Sequence, residues 1–280
     1  MDKKKVMSIY KKSHSTLLEI IMKIKKIIFS FLFLTVFGYA GFAQARSESK
    51  PLAPFRIVNN LYYVGDSYQA DYLVVTSKGN ILINSGYEAD VPKIKASIKK
   101  LGFKFSDTKV FLISHAHGDH IGGGALVKKE AGAEYMVMDA DVQVVESGGK
   151  KDFQYGHSND PENFYQSVKV DRVLHDGDQV KLGDSVLVAH HTGGHTKGCT
   201  TWTMKVTEKG KNYNVVIVGG PYVNPGYKLV HNVEYPDIAK DYENTFKILK
   251  SLPCDIFLGA HGGYFNLDKK YALMGQSLET

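Results

Sequence analysis

Short apolar segments bounded by Gly, Asn or Asp recur through most of the chain. Their length and their enrichment in β-branched and aromatic residues are typical of buried strands rather than helices. The first four predicted strands cover residues 61–64, 72–75, 81–83 and 110–113, and four later ones cover residues 186–189, 200–206, 215–218 and 256–258.

Two segments between these strands have helical spacing instead. Apolar residues recur every three or four positions from Val91 to Leu101, and Gly102 then predicts a helix end. The same spacing runs from Ile238 to Leu249, after a Pro-Asp pair typical of a helix start. Strands that alternate with helices predict a layered α/β domain in which helices cover the sheets.

Composition and charge narrow the class of protein. The chain has 280 residues, of which 43% are hydrophobic and 23% charged, which excludes a disordered, collagen-like or coiled-coil protein. Residues 1–45 contain eight lysines and two acidic residues and so account for the whole net charge of +6. Because the remainder is neutral, the sequence predicts no nucleic-acid partner.

The basic N-terminal segment has the pattern of an export signal. Lysines precede the apolar run at 27–37, and Ala43 and Ala45 form a small-x-small cleavage motif. We therefore predict a signal peptide at 1–45, a single domain at 46–280, a periplasmic location, and no stable membrane association after cleavage. Met22 is a possible true start. An uncleaved anchor is the alternative, although it would need about 20 apolar residues.

The chain has two cysteines, Cys199 and Cys254, which are too few for a disulfide framework. In an oxidising compartment they could pair, or they could remain separate thiols. Their spacing in the sequence leaves both possibilities open.

The densest group of chemically active side chains follows the predicted strand at 110–113. His115, His117, Asp119 and His120 lie within six residues on a segment that leads through glycines into a predicted helix. Such a loop allows several side chains to converge on one point. Imidazole and carboxylate favour zinc, with iron and manganese as competitors, so this segment predicts a metal site.

Two zinc ions would need further donors, because a catalytic zinc has about three protein ligands. His195 and His261 repeat the arrangement of a strand, then a histidine, then glycine, and are the candidates. The remaining histidines of the predicted mature chain lack this context: His157, His175, His190, His191 and His231. Strand alternation predicts that one of His190 and His191 faces the core and the other the metal side.

The pattern His-x-His-x-Asp-His, with separate downstream histidines, resembles the metallo-β-lactamase superfamily. That resemblance implies an α/β fold, the four-layered αβ/βα sandwich, with a two-metal site at the sheet ends. Longer runs resemble the third subclass of true metallo-β-lactamases over residues 55–271: HTKGCTTW at 195–202, NPGYKL at 224–229 and LPCDIFLGAHGGYF at 252–265. The chain departs from that subclass at Pro221, where Ser or Met is common.

The resemblance also implies the ligands, the cofactor and the reaction. His115, His117 and His195 would hold one zinc ion, and Asp119, His120 and His261 the other. A metal-bound hydroxide would open the β-lactam ring of penicillins, cephalosporins and, by expectation, carbapenems. Asp119 would be the catalytic residue that orients this nucleophile. We expect a monomer that acts on a small-molecule β-lactam.

Two alternatives remain at this point. The first is another hydrolase on the same fold, such as a lactonase. Hydrolases of thioesters, lactones or phosphodiesters in this superfamily usually carry a bridging Asp after the strand at 215–218, where this chain has Gly219, Gly220 and Pro221. The second is a non-catalytic zinc-binding protein of the periplasm.

Overall fold

A computed structural model describes residues 49–276. The predicted signal peptide at 1–45 and the possible start at Met22 lie outside the described residues. Among residues 49–276, no helix combines the length and the apolar character needed to cross a membrane.

The first sheet has seven strands in sequential order. They are β1 (Phe55–Val58), β2 (Leu61–Tyr63), β3 (Tyr72–Thr76), β4 (Gly79–Ile83), β5 (Thr108–Leu112), β6 (Glu134–Met138) and β7 (Arg172–Leu174). Strands β1 to β4 pair antiparallel, whereas β4 to β7 pair parallel. The parallel part needs crossover connections, and helices supply them.

The second sheet has five strands in the order β12-β11-β10-β9-β8. They are β8 (Gln179–Leu182), β9 (Ser185–His191), β10 (Thr200–Glu208), β11 (Lys211–Val218) and β12 (Ile256–Gly259). Only β11 and β12 pair parallel; the other neighbours are antiparallel. Consequently β9, β11 and β12 run in the same direction and end at one edge of this sheet.

Six α-helices lie among the described residues. They are α1 (Val91–Lys100), α2 (Gly118–Ile121), α3 (Gly124–Ala131), α4 (Asp139–Glu146), α5 (Ile238–Ser251) and α6 (Leu267–Gln276). The two helices predicted from apolar spacing are α1 and α5. The helix expected after the histidine-rich segment at 115–120 is α3.

Two apolar cores hold the layers together. One lies between the sheets and includes Ile81 and Leu112 of the first sheet with Trp202 and Ile217 of the second. The other packs the outer face of the first sheet against α1, α3 and α4. Each fully buried large apolar side chain contributes about 1.5–3 kcal/mol relative to exposure. The predicted α/β four-layered αβ/βα sandwich is confirmed.

One hydrogen bond ties the two sheets together next to the ligand-rich segment. Trp202 is 1% exposed, and its Nε1–H donates to the carbonyl of Ile113 over 2.9 Å. Trp202 belongs to β10, and Ile113 follows β5. The ring therefore packs in the core between the sheets and also fixes the end of the strand that leads to His115.

The two cysteines do not pair. Cys199 is buried immediately before β10, whereas Cys254 is exposed just before β12, and both thiols are free. Burial raises the pKa of the Cys199 thiol to about 12. The choice between a disulfide and separate thiols, which the sequence left open, is thus resolved in favour of separate thiols.

Candidate metal centre

Three histidines from two different loops meet at the ends of the sheets. A nitrogen of each of His115, His117 and His195 lies within 4.8 Å of one in the other two. Their ring centroids are 4.5–4.9 Å apart. Because His115 follows β5 and His195 follows β9, this cluster joins the first sheet to the second.

Asp119, His120 and His261 form a second cluster beside the first. His120 Nε2 lies 3.3 Å from Asp119 Oδ2, and His261 Nε2 lies 3.6 Å from the same oxygen. The two Nε2 atoms are 3.1 Å apart. His115 also lies within 4.8 Å of Asp119 and His120 by their ligand atoms, so it stands between the two clusters.

The loop that carries four of these six residues is shaped by Asn84. The side-chain oxygen of Asn84 accepts a hydrogen bond from Ser114 N over 2.8 Å, and the backbone N–H of Asn84 donates to Leu112 O over 2.9 Å. Asn84 has a φ of 65°, in the left-handed region that Asn tolerates better than most residues. These two hydrogen bonds fix the backbone at the end of β5, before α2 begins at Gly118.

Three of the imidazoles also approach a polar group outside the two clusters through a ring nitrogen. His195 Nδ1 lies 2.9 Å from Tyr222 O, and Ser114 Oγ lies 3.2 Å from His115 Nδ1. His117 Nε2 lies 3.7 Å from Asp152 Oδ2. Outer contacts of this kind fix the ring orientation of histidines that bind a metal.

Burial keeps most of the imidazoles neutral. Burial lowers the pKa of His120 to about 3, although the nearby Asp119 acts in the opposite direction. It lowers the pKa of His195 to about 3 as well. For His115, burial and the neighbouring imidazoles hold the pKa well below its usual range, and burial also lowers the pKa of His261. A neutral imidazole keeps the lone pair that a metal needs.

For Asp119 and His117, charged neighbours shift the pKa more than burial does. Burial disfavours the Asp119 carboxylate, but the imidazoles of His120 and His261 outweigh it, and the pKa of Asp119 is lowered. Burial likewise opposes a charge on His117, yet the Asp152 carboxylate outweighs it and raises the pKa of His117. The cluster therefore holds an ionised carboxylate among its imidazoles.

The donor set fits a metal ion. His115 is 1% exposed, and its Nε2 has no hydrogen-bond partner among the described residues. An unpartnered buried polar atom costs about 1–3 kcal/mol, which a bound ion would offset. Five histidines and one carboxylate match the ligand chemistry of zinc.

Glycines allow the close approach of the chain around His195. A Cβ at Gly220 would lie 2.6 Å from the His195 ring. Gly194 has a φ of +121°, and a Cβ there would lie 2.7 Å from the Tyr242 ring of α5. Gly194, which precedes His195 in the sequence, thus has a packing role as well as a conformational one, whereas the role of Gly220 is in packing.

The other histidines lie elsewhere. His190 Nε2 contacts Thr203 Oγ1 at 2.8 Å, and His191 Nε2 lies 2.7 Å from Lys197 O. Both residues are half-buried, and neither belongs to the two clusters, so the prediction that one of them faces the metal side is wrong. His175 Nδ1 lies 3.2 Å from Asp139 Oδ2, while His157 and His231 are exposed.

Several residues beside the clusters were not singled out by the sequence analysis. They are Gln69, Asp141, Asp152, Tyr155 and Tyr227. Tyr227 donates its hydroxyl to His195 O over 2.8 Å, and the Tyr155 ring packs edge-on against His117 with centroids 5.2 Å apart. Only Tyr227 had a signal in the sequence, since it lies in the NPGYKL run.

A two-sheet sandwich with these ligands at the strand ends defines a metalloprotein of the αβ/βα class. Residues 64–208 match the family model described as the metallo-beta-lactamase superfamily. The chain belongs to this superfamily.

Solved structures and a curated protein show the same relationship. The native FEZ-1 metallo-beta-lactamase from Legionella gormanii is 59% identical with a TM-score of 0.79, and the match covers 81% of this chain and 86% of that one. The class B3 di-zinc metallo-beta-lactamase LRA-12 from an Alaskan soil metagenome is 39% identical with a TM-score of 0.75, over 79% and 83%.

The curated relative is a probable metallo-hydrolase of Burkholderia pseudomallei (strain 1710b). It is 29% identical over 171 residues, which are 59% of this chain. The chain spans about half of that relative, 54% of its length.

Proposed function

We propose that this protein is a zinc-dependent β-lactamase that binds two zinc ions and opens the ring of penicillins, cephalosporins and carbapenems. The observation that carries the proposal is the convergence of six donors: ligand atoms of four of them lie within 4.8 Å of one in the buried His115, and His261 Nε2 lies 3.1 Å from His120 Nε2. Similarity to metallo-β-lactamases over most of the chain supports the choice of substrate.

The proposed ligands divide into two sets that share one edge of the sandwich. His115, His117 and His195 would hold the first ion, and Asp119, His120 and His261 the second. When bound, two zinc ions supply Lewis acidity and an activated water near neutral pH. His115 lies within 4.8 Å of ligand atoms in both sets, so the two sets of donors adjoin each other.

The protein's own groups orient the reaction. Asp119 is the carboxylate among the six proposed ligands, and its ionised form can accept a hydrogen bond from the attacking nucleophile. Tyr155, which is half-buried beside His117, and Tyr227, whose hydroxyl is bonded to His195 O, form one side of the site. These rings offer an apolar wall for the substrate while the loops hold the ligands in place.

A lactonase on the same fold is the second candidate, and the chain after β11 argues against it. Val218 is followed by Gly219, Gly220 and Pro221, which offer no carboxylate to bridge two metals. The close contact between Gly220 and the His195 ring also leaves no room for a larger side chain at that position.

We further propose that the chain is exported to the periplasm, that residues 1–45 are removed there, and that the domain at 46–280 acts as a monomer. The lysine-rich start, the apolar run and the Ala43–Ala45 motif support export. Confinement to the periplasm would place the enzyme where β-lactams arrive and would link it to antibiotic resistance.

The test is hydrolysis of nitrocefin and imipenem by the purified protein, with zinc content measured on the same sample. We expect turnover of both substrates with two zinc ions per chain, loss of activity after chelation, and recovery on addition of zinc. If two zinc ions were bound without β-lactam turnover, β-lactams would be ruled out as the substrate. A lactone panel run in parallel would then test the second candidate, a lactonase.

A further inference from the structure

A carboxylate outside the six candidate ligands connects the two loops that carry the first cluster. Asp141 lies in the first turn of α4 and is fully buried. Its Oδ2 accepts hydrogen bonds from Ala116 N at 3.0 Å and from Thr196 Oγ1 at 2.7 Å. Its Oδ1 accepts one from Gly198 N at 2.7 Å.

These three donors lie on two loops that come from different sheets. Ala116 stands between His115 and His117 in the loop after β5 of the first sheet. Thr196 directly follows His195 in the loop after β9 of the second sheet. A single side chain therefore fixes the backbone beside all three histidines of the first cluster.

The backbone around Asp141 is shaped for this contact. A Cβ at Gly198 would lie 2.5 Å from Asp141 N and 2.7 Å from its Cβ and Cγ. Only glycine allows the loop to approach α4 this closely. The short bonds to Thr196 and Gly198 depend on that approach, so the position of the loop and the position of the carboxylate are coupled.

Burial raises the pKa of Asp141, while its hydrogen bonds to Thr196 and Gly198 act in the opposite direction. The hydrogen-bond donors to Asp141 named above are two peptide N–H groups and a hydroxyl, all of them neutral. The three histidines of the first cluster bring no negative charge of their own. A buried carboxylate is costly unless it is hydrogen-bonded or paired, and a cation bound at the first cluster would lower that cost further.

We propose that Asp141 is a positioning residue of the first zinc site, which it assembles by joining the His115–His117 loop to the His195 loop. This inference rests on the proposed function, because it concerns one of the two proposed zinc sites. Asp141 acts through the loops and does not contact substrate. Residues that orient metal ligands from outside typically change metal affinity by about 10–100-fold when they are replaced.

The first experiment measures zinc affinity by competition with a chromophoric chelator. His261→Ala is used as the background, because it removes a ligand of the second cluster and leaves the first intact. Adding Asp141→Asn keeps the size of the side chain but places an amide N–H against an N–H or hydroxyl donor. We expect zinc affinity at the first site to fall about 10–100-fold.

Asp171→Asn is the matched control in the same background. Asp171 also accepts a backbone hydrogen bond, from Tyr135 N at 2.9 Å, but its two partners, Lys128 of α3 and Tyr135 of β6, are not candidate ligands. We expect its zinc affinity to stay within about twofold of the background. An equal loss in both variants would show that Asp141 acts only on general stability and would overturn the proposal.

Thr196 provides a second pair of variants that does not alter the carboxylate. Thr196→Val removes the hydroxyl donor at nearly constant volume, whereas Thr196→Ser retains it. We expect weaker zinc binding and a changed visible spectrum of the Co(II)-substituted protein for Thr196→Val, with recovery in Thr196→Ser. If Asp141→Asn fails to fold, this pair decides the question.

The outcomes separate this proposal from the proposed function. Zinc-dependent β-lactam hydrolysis by the unmodified protein, with unchanged first-site affinity in folded Asp141→Asn and Thr196→Val, would overturn only the role of Asp141. Failure of the unmodified protein to bind zinc would overturn both.

Discussion

The Nε2 atoms of His120 and His261 lie 3.1 Å apart, although 141 residues separate the two histidines in the sequence. His120 lies in α2, which follows β5 of the first sheet, and His261 follows β12 of the second sheet. Ala70 N donates to Ala260 O over 3.1 Å and holds the final loop against the first sheet. The second cluster is thus assembled by the contact between the sheets.

Asp119→Asn should reduce β-lactam turnover far more than it reduces stability. The carboxylate lies 3.3 Å from His120 Nε2, and its replacement by an amide removes the charge while the volume is retained. We expect kcat to fall by about 10²-fold or more, the effect typical of a positioned proton-transfer group. Steady-state kinetics with nitrocefin, together with thermal unfolding, would measure both quantities. Near wild-type kcat with two zinc ions bound would contradict this role.

Asp152→Asn should weaken binding at the first site. Asp152 Oδ2 faces His117 Nε2 at 3.7 Å, while Oδ1 already accepts from Gln154 N and Tyr155 N. An amide would keep the backbone contacts through Oδ1 and turn an N–H toward the imidazole. We expect about a 10–100-fold loss of zinc affinity, measured by chelator competition.

The control for that variant is Asp160→Asn in the same connecting segment. Asp160 is exposed and accepts a hydrogen bond from Glu162 N over 3.0 Å, so it tests loss of a carboxylate away from the ligands. Its zinc affinity should equal that of the unmodified protein. Similar values for the two variants would show that Asp152 does not orient His117.

Gly220→Ala should displace His195. The added Cβ would meet the imidazole at 2.6 Å, a separation that real structures do not tolerate. We expect a loss of about 1–3 kcal/mol in the free energy of unfolding, the usual cost of overpacking, together with weaker zinc binding. Gly263→Ala is the control, because no heavy atom lies within 4 Å of a Cβ there. Urea unfolding of both variants, with and without zinc, would measure the free energy of unfolding. If Gly220→Ala were as stable as Gly263→Ala in both conditions, the prediction would be wrong.

Gln69→Leu should weaken the second site. Gln69 is 5% exposed, its amide helps to lower the pKa of Asp119, and its backbone pairs with His261. The apolar side chain would leave the carboxylate without this neighbour, and we expect about tenfold weaker binding of the second zinc ion. Zinc titration of Asn80→Leu provides the comparison, because Asn80 is also a buried amide and lies at the start of β4. Equal titration curves for the two variants would reject the prediction.

Thiol labelling should distinguish the two cysteines. Cys199 is buried and its pKa is raised to about 12, so it should not react in the folded protein, whereas the exposed Cys254 should. Mass spectrometry after treatment with a maleimide should show one label in the native protein and two after unfolding without reductant. An unfolded, unreduced protein that takes up no label would instead indicate a disulfide.

The sequence by itself determined the class of fold and the six candidate ligands. The spacing from Val91 to Leu101 and the apolar runs that become β3, β4 and β5 are local properties of the chain. Four of the candidate ligands, at 115–120, could also be predicted locally, because they fall within six residues. His195 and His261 could be found because each follows a strand and precedes glycine.

The sequence did not reveal several short strands. β7 has three residues and β8 has four, and both expose part of their length. Such segments are too short to show a clear period, and they become strands because their neighbours in the sheet supply hydrogen-bond partners. β6 is apolar enough to be a strand, but its place in the parallel sheet depends on its pairing with β5 and β7.

Only the tertiary structure decided which groups surround the ligands. Asp141 is 25 residues from Ala116 and 55 from Thr196, and no spacing rule connects them. Strand alternation likewise failed at His190 and His191, because loop geometry beyond β9, and not strand direction, selects His195. The candidate ligands can be predicted from local sequence, whereas the burial and contacts of each one arise when distant segments pack together.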